Sequence, residues 1–404
     1  MNDLAERWRT ALTDELPAAV RLRRQIHADP RGSGDEDDTA SLVAAAIGGG
    51  KAERVAKTGR LIEFPCAHPG PAVALRAELD ALPVIERTGV PWAATNGLMH
   101  ACGHDVHLAA LTAVCRAALR VGTPRPLVAI LQPREETAPS GALDLVESGI
   151  LEDRAVDTVI GAHVQPRLPY GVVSAAPGPV NASTDEFEVV LHGQGGHAGY
   201  PHLLRDPVLA ISQLVVSLQQ LASRRIDPIH GAVCTIGQLR AGTAANVVPN
   251  SASAFGSLRL MRAGDRDSAL EALAEIVHGT ARAYGCTAEL RISPCEPVLV
   301  NDPALAAAAQ TWLLRGGGRD QGVDFAVDTA FRSFGADDFA HYCGSGARGL
   351  MMFVGLGETA GAPSLHDEVF LPGDAAVGQV AHALLAGYLA AASDPEYPAA
   401  VTGL

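Results

Sequence analysis

The sequence predicts an α/β protein in which a doubly wound, mostly parallel sheet is interrupted by a smaller α+β domain. Apolar runs of strand length alternate with helical patterns in the first third of the chain, which is typical of a sheet covered by helices on both faces. The middle of the chain shows the order β-α-β-β-α-β instead. With 404 residues, the chain is also too long for one ordinary core. We therefore expect two domains, one formed by residues 1–181 and 296–404 and one by residues 182–295.

The first third contains the strands and the helix on which this prediction rests. Residues 61–64 and 72–76 read as short strands, and residues 127–131 and 158–161 form apolar runs of strand length. Residues 105–121 repeat apolar side chains at helical spacing. Strands that are apolar throughout are expected in the interior of a parallel sheet, where helices cover both faces.

The middle of the chain predicts a separate α+β unit. Residues 186–191 alternate between apolar and polar side chains, as a half-exposed strand does. A helix, two strands, a second helix and a last strand are then expected at about 206–223, 232–239, 249–261, 266–284 and 286–293. This order is that of the ferredoxin-like unit. A helical pattern resumes at Pro303, and a buried strand is expected at 350–354, so the C-terminal part should complete the first domain.

Charge and composition exclude several classes of protein. The chain has 31 basic and 45 acidic residues and a formal net charge of -14, whereas nucleic-acid binding requires a basic surface. We find no run of ~18 apolar residues and no secretory signal pattern at the N-terminus. The seven cysteines include no Cys-x-x-Cys pair, which favours a reducing compartment over a disulfide framework. We therefore expect a cytoplasmic protein that binds neither nucleic acid nor a membrane.

Polar side chains follow three of the predicted strands. Strand 72–76 leads into Glu78 and Asp80, strand 127–131 into Glu135 and Glu136, and strand 158–161 into His163. The carboxyl ends of the strands in a doubly wound sheet form a common crevice, where ligands bind. The three groups therefore predict one site.

Cys102 and His104 are expected to join this site. Side chains two residues apart point almost oppositely on a helix, so they can converge on one ion only in the loop before the helix, where Gly103 gives the backbone freedom. Thiolate, imidazole and carboxylate ligands together suit zinc or a similar divalent metal. Taken alone, a Cys-x-His pair would be a chance occurrence near a helix start. The further candidates Glu136, His163 and His366 favour the metal site.

The adjacent glutamates predict two different roles. One of Glu135 and Glu136 can coordinate a metal while the other points at a water molecule and takes its proton during attack on a carbonyl. The alternative is that both glutamates are solvated loop residues. This is less favoured because they follow a predicted buried strand almost directly, after Pro133.

Seven separated motifs, in order, resemble those of the hippurate hydrolase and auxin-conjugate amidohydrolase branch of the aminoacylase-type metallopeptidases. They are RAELDALP at 76–83, MHACGHD at 99–105, QPREE at 132–136, GGHA at 195–198, NVVP at 246–249, GSLR at 256–259 and Leu365-His366. The resemblance covers nearly the whole chain and implies a metal-dependent enzyme that cleaves the amide bond of small N-acyl amino acids.

The resemblance also implies the composition of the metal centre. Two divalent ions per subunit, zinc or manganese, would share Cys102 as a bridging ligand. Glu136 and His366 would complete the ligands of one ion, and His104 and His163 those of the other. Glu135 would be the general base and Asp80 would orient a ligand.

For the inserted domain, the resemblance implies a lid that also forms a homodimer or a higher homo-oligomer. His197 would stabilise the oxyanion near the scissile carbonyl, and Asn246 would assist it. Arg259 would bind the carboxylate of the amino-acid half, because a guanidinium pairs well with a carboxylate.

The chain departs from the family pattern at four places. Family members have Asp at Glu78, Gly-Glu-Asp-Phe at 336–339, small polar residues or proline after His366, and alanine at Arg134. These differences leave every proposed ligand and the base in place, but they argue for a substrate range that differs from hippurate.

Two alternatives to a metal-dependent hydrolase remain, one a different class of enzyme and the other not an enzyme. Cys102 could act as a thiol nucleophile with a histidine base, in which case a chelator would leave turnover intact. A catalytically inert relative that binds a metal or small ligand would fail to turn over any acylated amino acid. A dipeptidase or carboxypeptidase would share the chemistry of the preferred function and differ only in substrate.

Overall fold

The computed structural model describes residues 2–316, 325–357 and 363–393. The chain divides into two compact units. The first comprises Met1–Gly178, Val300–Phe331 and Asp338–Leu404, and the second comprises Pro179–Leu299 and Arg332–Asp337. The short second stretch, 332–337, carries no signal in the sequence that would separate it from the first domain.

The N-terminal part of the first unit alternates helices and strands. Its elements are α1 (Asn2–Ala28), α2 (Asp37–Ile47), β1 (Ala52–Val55), β2 (Gly59–Phe64), β3 (Ala72–Glu78), α3 (His104–Val121), β4 (Leu127–Gln132), α4 (Gly141–Glu147), β5 (Val156–Gln165) and β6 (Val172–Ser174). The predicted strands and the predicted helix are all found here, whereas α1 and α2 were not predicted.

The elements that follow belong largely to the second unit. They are β7 (Gly178–Asn181), β8 (Ser183–His192), β9 (Gly196–His197), α5 (Pro207–Gln220), β10 (Ala232–Ala241), β11 (Val247–Val248), β12 (Ser251–Leu260), α6 (Arg266–Ala283) and β13 (Thr287–Pro294). Helix α5 begins where expected, because the Asp206 side chain accepts the Val208 and Leu209 N–H groups and Pro207 occupies the first turn.

The C-terminal part returns to the first unit. Its elements are β14 (Leu299–Asn301), α7 (Pro303–Gly316), β15 (Ala326–Asp328), α8 (Ala340–Gly344), β16 (Arg348–Gly355) and α9 (Ala375–Ala392). Helix α9 is long and apolar enough to cross a membrane, but 78% of it is buried. It packs on α3, α7 and β5, so it is a helix of the protein core.

The large sheet of the first unit has the strand order β1-β2-β4-β3-β5-β16-β6-β15. Its centre, from β4 through β3 and β5 to β16, is parallel, and antiparallel pairs occur toward both edges. Every residue of β3 and β4 is buried, as expected for strands covered on both faces. The predicted doubly wound, mostly parallel α/β class is confirmed.

The second unit has an antiparallel sheet of order β10-β12-β8-β13. Together with α5 and α6 it follows the predicted β-α-β-β-α-β order of a ferredoxin-like unit. The helices pack on the sheet and form a core that includes Leu191, Leu214, Leu258 and Leu273. This core contains only residues of the second unit.

Candidate metal centre

The ends of three neighbouring strands provide most of the candidate site. Strand β3 ends at Glu78 with Asp80 just beyond it, and Glu135 and Glu136 follow the end of β4. His163 lies inside β5 rather than after it, which corrects the expectation from the sequence. Parallel pairing with β16, in which Phe353 is opposite His163, extends β5 to Gln165.

The loop before α3 brings Cys102 and His104 to the same place. His104 is the first residue of α3, and Gly103 adopts a left-handed conformation with φ +87°. A Cβ atom at Gly103 would lie 2.5 Å from Cγ2 of Val164. Only glycine fits this turn without displacing its neighbour.

The five predicted ligands are close together in the first unit. The donor atoms of Cys102, His104 and Glu136 lie within 4.8 Å of one another. Sγ of Cys102 is 3.4 Å from Nε2 of His163. Nε2 of His366 is 3.3 Å from Oε1 of Glu136. Side chains from four distant stretches of the chain therefore face one small volume.

Hydrogen bonds fix the orientation of two of the predicted imidazole ligands. Nδ1 of His104 donates to the main-chain oxygen of Asp80 at 2.8 Å, and Nδ1 of His163 donates to the oxygen of Val164 at 2.7 Å. With Nδ1 protonated in the neutral ring, the lone pair is on Nε2, and each Nε2 faces the cluster. Backbone acceptors commonly orient metal-binding histidines in this way.

The donor atoms fit a cation. Nε2 of His104 and Oε1 of Glu136 are buried and have no hydrogen-bond partner, which is costly for groups withdrawn from water. Burial and the carboxylates of Glu136 and Glu135 raise the pKa of the Cys102 thiol well above its ordinary value. A bound cation would stabilise the thiolate and satisfy both unpartnered atoms.

The local electrostatic field favours positive charge. Burial alone would lower the pKa of His104, but the Asp80 carboxylate and the charge of Glu78 raise it to about 10. Burial lowers the pKa of His163 to about 3. His104 therefore lies among carboxylates whose negative potential favours a positive charge.

Asp80 connects the parts of the site. Its Oδ2 accepts hydrogen bonds from Ser33 Oγ at 2.7 Å and from the main-chain N–H of Glu136 at 2.9 Å. Burial would raise the pKa of Asp80, but the neighbouring His104 holds it at about 2. Asp80 therefore stays ionised and fixes the backbone of Glu136 beside His104.

Glu135 is beside the cluster. Its Oε2 lies 3.7 Å from Nε2 of His104, and its side chain is 11% exposed. This places a carboxylate next to the cluster with some access to solvent, the position required of a base that takes a proton from water.

Glu78 and His107 form a buried pair that sequence reasoning did not identify. Oε2 of Glu78 accepts from Nδ1 of His107 at 2.9 Å, and Nε2 of His107 accepts from the N–H of Val164 at 3.0 Å. Both ring nitrogens of His107 are thus engaged, so it is a neighbour of the predicted ligand His163 and has no nitrogen left to bind a metal. The Cys-Gly-His-Asp-Val-His spacing was visible in the sequence, but the partner Val164 was not.

Besides Glu78, two further departures from the family pattern have identifiable contacts. The Glu368 carboxylate lies 3.4 Å from Nε of Arg87, in an exposed pair. Arg134 is buried and donates to the main-chain oxygen of Pro139 at 2.7 Å. Neither side chain contacts a predicted ligand through these bonds.

The remaining predicted residues belong to the second unit. His197 is exposed on β9, which pairs with β11, and the N–H of Ala198 donates to the oxygen of Asn246 at 3.1 Å. The structure thus brings His197 and Asn246 close together. Arg259 is half-buried on β12 and donates from Nη1 to the oxygen of Phe334 at 2.8 Å.

Comparison with known sequences identifies relatives along most of the chain. The model of peptidase family M20/M25/M40 matches residues 74–387. The N-acetylcysteine deacetylase of Bacillus subtilis is 34% identical over 330 residues, which cover 80% of this chain and 84% of the relative. The N-acetyldiaminopimelate deacetylase of Leuconostoc mesenteroides is 34% identical over 323 residues, which cover 78% and 82% of the two chains.

Solved structures agree with the sequence relatives. A dinuclear metal-binding peptidase of family M20 from Bacillus subtilis is similar with a TM-score of 0.79 and 29% identity, over 94% of this chain and 98% of the other. An aminobenzoyl-glutamate utilization protein from Klebsiella pneumoniae, at 21% identity and a TM-score of 0.63, shares the fold over 96% and 98% of the two chains.

Proposed function

Because the chain belongs to peptidase family M20/M25/M40, we propose that it is a metal-dependent amidohydrolase that cleaves the amide bond of N-acyl amino acids. The observation that carries this proposal is the convergence of the Cys102, His104 and Glu136 donor atoms within 4.8 Å, with the Glu135 carboxylate beside them. The products would be a carboxylate and a free amino acid.

We assign two divalent ions, zinc or manganese, to this centre. Five side chains would hold them: Cys102, His104, Glu136, His163 and His366. The relative of known structure that binds two metals supports this assignment. The mixture of thiolate, imidazole and carboxylate suits zinc, and manganese accepts the imidazole and carboxylate ligands.

When bound, the ions would polarise the amide carbonyl and lower the pKa of a water molecule. Glu135 would accept the proton of that water and deliver it to the departing amine. Asp80 would keep His104 and the Glu136 backbone in place through its contacts with both. The protein thus supplies the orientation of the ligands and the transfer of one proton.

Residues of the second unit would bind the substrate. His197 and Asn246 would stabilise negative charge on the carbonyl oxygen, because histidine and asparagine are both hydrogen-bond donors. Arg259 would pair with the α-carboxylate. Its guanidinium has five N–H donors, and the bond to Phe334 uses one of them.

The decisive test is Glu135→Gln in the metal-loaded protein. Glutamine keeps the size of the side chain but cannot accept the proton, so we expect kcat to fall by roughly 10³-fold or more, about 4 kcal/mol. Glu147→Gln is the matched control, because Glu147 is exposed in the nearby helix α4. An unchanged rate in Glu135→Gln would refute the role of Glu135.

Chelation distinguishes this mechanism from a cysteine nucleophile. The raised pKa of Cys102 keeps its thiol protonated without a cation, and a thiol is a poor nucleophile. We therefore expect turnover to stop when metal is removed and to return with zinc or manganese. Turnover that resists chelation but is blocked by alkylation would support the thiol mechanism instead.

N-acetyl amino acids are the first substrates to test. Both deacetylase relatives are named for an N-acetyl amino acid, and we propose that this chain accepts a short acyl group as well. A panel that varies the acyl group and the amino acid separately would also detect dipeptidase or carboxypeptidase activity. Metal-loaded protein that hydrolyses no member of the panel would indicate an inert relative.

We also propose a cytoplasmic homodimer. All seven cysteines lie in the described part of the chain and none is in a disulfide, as expected in a reducing compartment.

Strand β10 is an edge of the second sheet and includes Leu239, which is 45% exposed. The opposite edge, β13, includes Glu289 and Arg291 and ends at Pro294. Charges and proline oppose edge pairing. Strand β10 has one charged residue, Arg240, whereas β13 has two and a proline, so β10 is the edge that better suits a second copy.

A further inference from the structure

We propose that Arg134 is a positioning residue for Glu135 and Glu136, acting as a clamp on the loop that carries them. This inference rests on the proposed function for the identity of the base, but the clamp itself is a feature of the loop. Arg134 stands where the family pattern has alanine, so the clamp would be a property of this chain.

The loop has no regular structure of its own. Residues 133–140 connect the end of β4 to the start of α4 without helix or strand. Such a segment lacks the repeated backbone hydrogen bonds that fix strands and helices, and its conformation depends on side-chain contacts. Glu135 and Glu136 nevertheless have to be held within about 0.5 Å to act as base and ligand.

Arg134 closes the loop through its own backbone and side chain. Its Nη1 donates to the oxygen of Pro139 at 2.7 Å, and its Nη2 donates to the Asp144 carboxylate in α4. Its main-chain oxygen accepts the N–H of Gly141 at 3.0 Å. These three bonds join the two ends of the loop, with both glutamates between them.

The backbone of Arg134 is held in a strained conformation. Its φ is +50°, a left-handed value that is unfavourable for a residue with a side chain. Its N–H donates to Oε1 of the buried Glu36 at 2.9 Å, and Glu36 also accepts from Gly34 and Thr58. The surrounding bonds therefore impose the turn that directs the next two residues toward the cluster.

Asp80 fixes the loop independently at a second point, where it accepts the N–H of Glu136. Asp80 thus holds the backbone of Glu136 directly, and the clamp joins the two ends of the loop. Arg134 is 7% exposed, so water competes little for its bonds. It makes no contact with the reacting atoms and acts only through Glu135 and Glu136.

The test compares Arg134→Ala with Arg154→Ala. Arg154 is a partly buried arginine of the same unit that pairs with Glu53 and Glu63 away from the cluster, so it controls for loss of an ion pair. We expect Arg134→Ala to lower kcat about 10–100-fold with KM within about threefold, because a displacement of about 1 Å at a reacting group has this effect. Arg154→Ala should change neither constant.

Metal affinity provides a readout that does not depend on catalysis. Competition with a chelating dye should show at least a tenfold weaker affinity for zinc in Arg134→Ala and no change in Arg154→Ala. Arg134→Lys, which can reach only one of the two acceptors, should fall between alanine and wild type in both measurements. If wild-type protein binds zinc but hydrolyses no substrate, the proposed function fails while the affinity series still tests the clamp.

Asp144→Asn keeps the proposal testable if Arg134→Ala does not fold. Asp144 is 31% exposed, so this variant should fold and yet weaken the clamp, with a lower kcat and weaker zinc binding. Wild-type kcat and zinc affinity in Asp144→Asn, or losses in Arg134→Ala no greater than in Arg154→Ala, would overturn the proposal.

Discussion

Glu78 divides its carboxylate between two buried partners. It pairs with the guanidinium of Arg76 and accepts from His107, and Arg76 also pairs with Asp338 at 2.6 Å. Burial would raise the pKa of Glu78, but the charges of Arg76 and His107 hold it well below its ordinary value. Such a network stabilises the protein only while every member keeps its partner.

We expect Glu78→Gln to lower the free energy of unfolding of the metal-free first unit by about 3 kcal/mol at pH 7. The amide loses the charge-assisted bond from Arg76, which is fully buried and keeps only part of its pairing, the bond to Asp338. Urea unfolding followed by tryptophan fluorescence measures this, because Trp8, Trp92 and Trp312 all belong to the first unit.

Glu63→Gln is the control for this prediction, since Glu63 is exposed on β2. A carboxylate with a lowered pKa contributes stability above the unfolded-state value of about 4.3, and this contribution is lost as the pH falls through the folded-state value. The difference between wild type and Glu78→Gln should therefore shrink below about pH 4. Equal stability of the two at pH 7 would show that the pair contributes nothing.

At the scale of single residues, the sequence identified the candidate reactive residues better than the hydrogen bonds that hold them in place. Glu135, Glu136 and Asp80 could be selected because they follow apolar strands. Ser33 and Glu36 could not, because each contacts a residue at least 47 positions away. Hydrogen bonds between such distant residues depend on the folded chain and have no local pattern.

The start of helix α3 combines a helix terminus with the loop that carries the predicted ligand Cys102. Gly103 gives the loop a left-handed residue, and its missing side chain leaves room for Val164. Gly122, at the other end of the same helix, has nearly the same φ, +88°, but has no atom within 4 Å of its notional Cβ. Substitution of each glycine by alanine therefore distinguishes the effect of backbone strain, which both positions share, from that of a steric collision, which only Gly103 has.

We expect Gly103→Ala to weaken zinc binding at least tenfold, because relief of the collision displaces either Val164, the neighbour of His163, or the loop that carries Cys102 and His104. Gly122→Ala should cost about 1 kcal/mol of stability from backbone strain alone and leave zinc affinity unchanged. Titration of each metal-free variant with zinc measures the difference. Equal affinity in the two variants would mean that the turn at Gly103 is not required for the ligand geometry.

Apolar length and periodicity predicted the elements that form the centre of each sheet. The two-residue strands β9 and β11 were not predicted, because a strand this short has no period to detect. The end of β5 was also wrong in the sequence prediction. His163 and Gln165 are polar and would end an apolar run, but β16 pairs with them and continues the strand.

On the scale of the whole molecule, we expect the edge strand β10 to form the interface between two copies of the chain. We expect the wild-type protein to have twice the mass of the chain in light scattering, and Leu239→Arg to have the mass of one chain, because an edge charge opposes strand pairing. Ser293→Arg on the opposite edge strand, β13, is the control. A monomeric wild-type protein, or a dimeric Leu239→Arg variant, would contradict pairing through β10.

Composition and element order predicted two domains, but not which unit every segment joins. Residues 332–337 belong to the second unit although they follow more than thirty residues of the first. A segment of six residues without helix or strand buries too little surface to leave a pattern in the sequence. Its partners, such as Val180, whose oxygen accepts the N–H of Ser333, exist only in the folded chain.

The place of β16 in the large sheet has a consequence for synthesis on the ribosome. Strand β5 pairs with β3 on one side and with β16 on the other, and β16 is translated about 190 residues after β5 begins. Most of the second unit, Pro179–Leu299, emerges in between and has its own core. Until β16 has been synthesised, the β5 edge of the first unit therefore remains unpaired. An unpaired apolar strand edge is prone to aggregation, so the nascent chain needs protection at this strand.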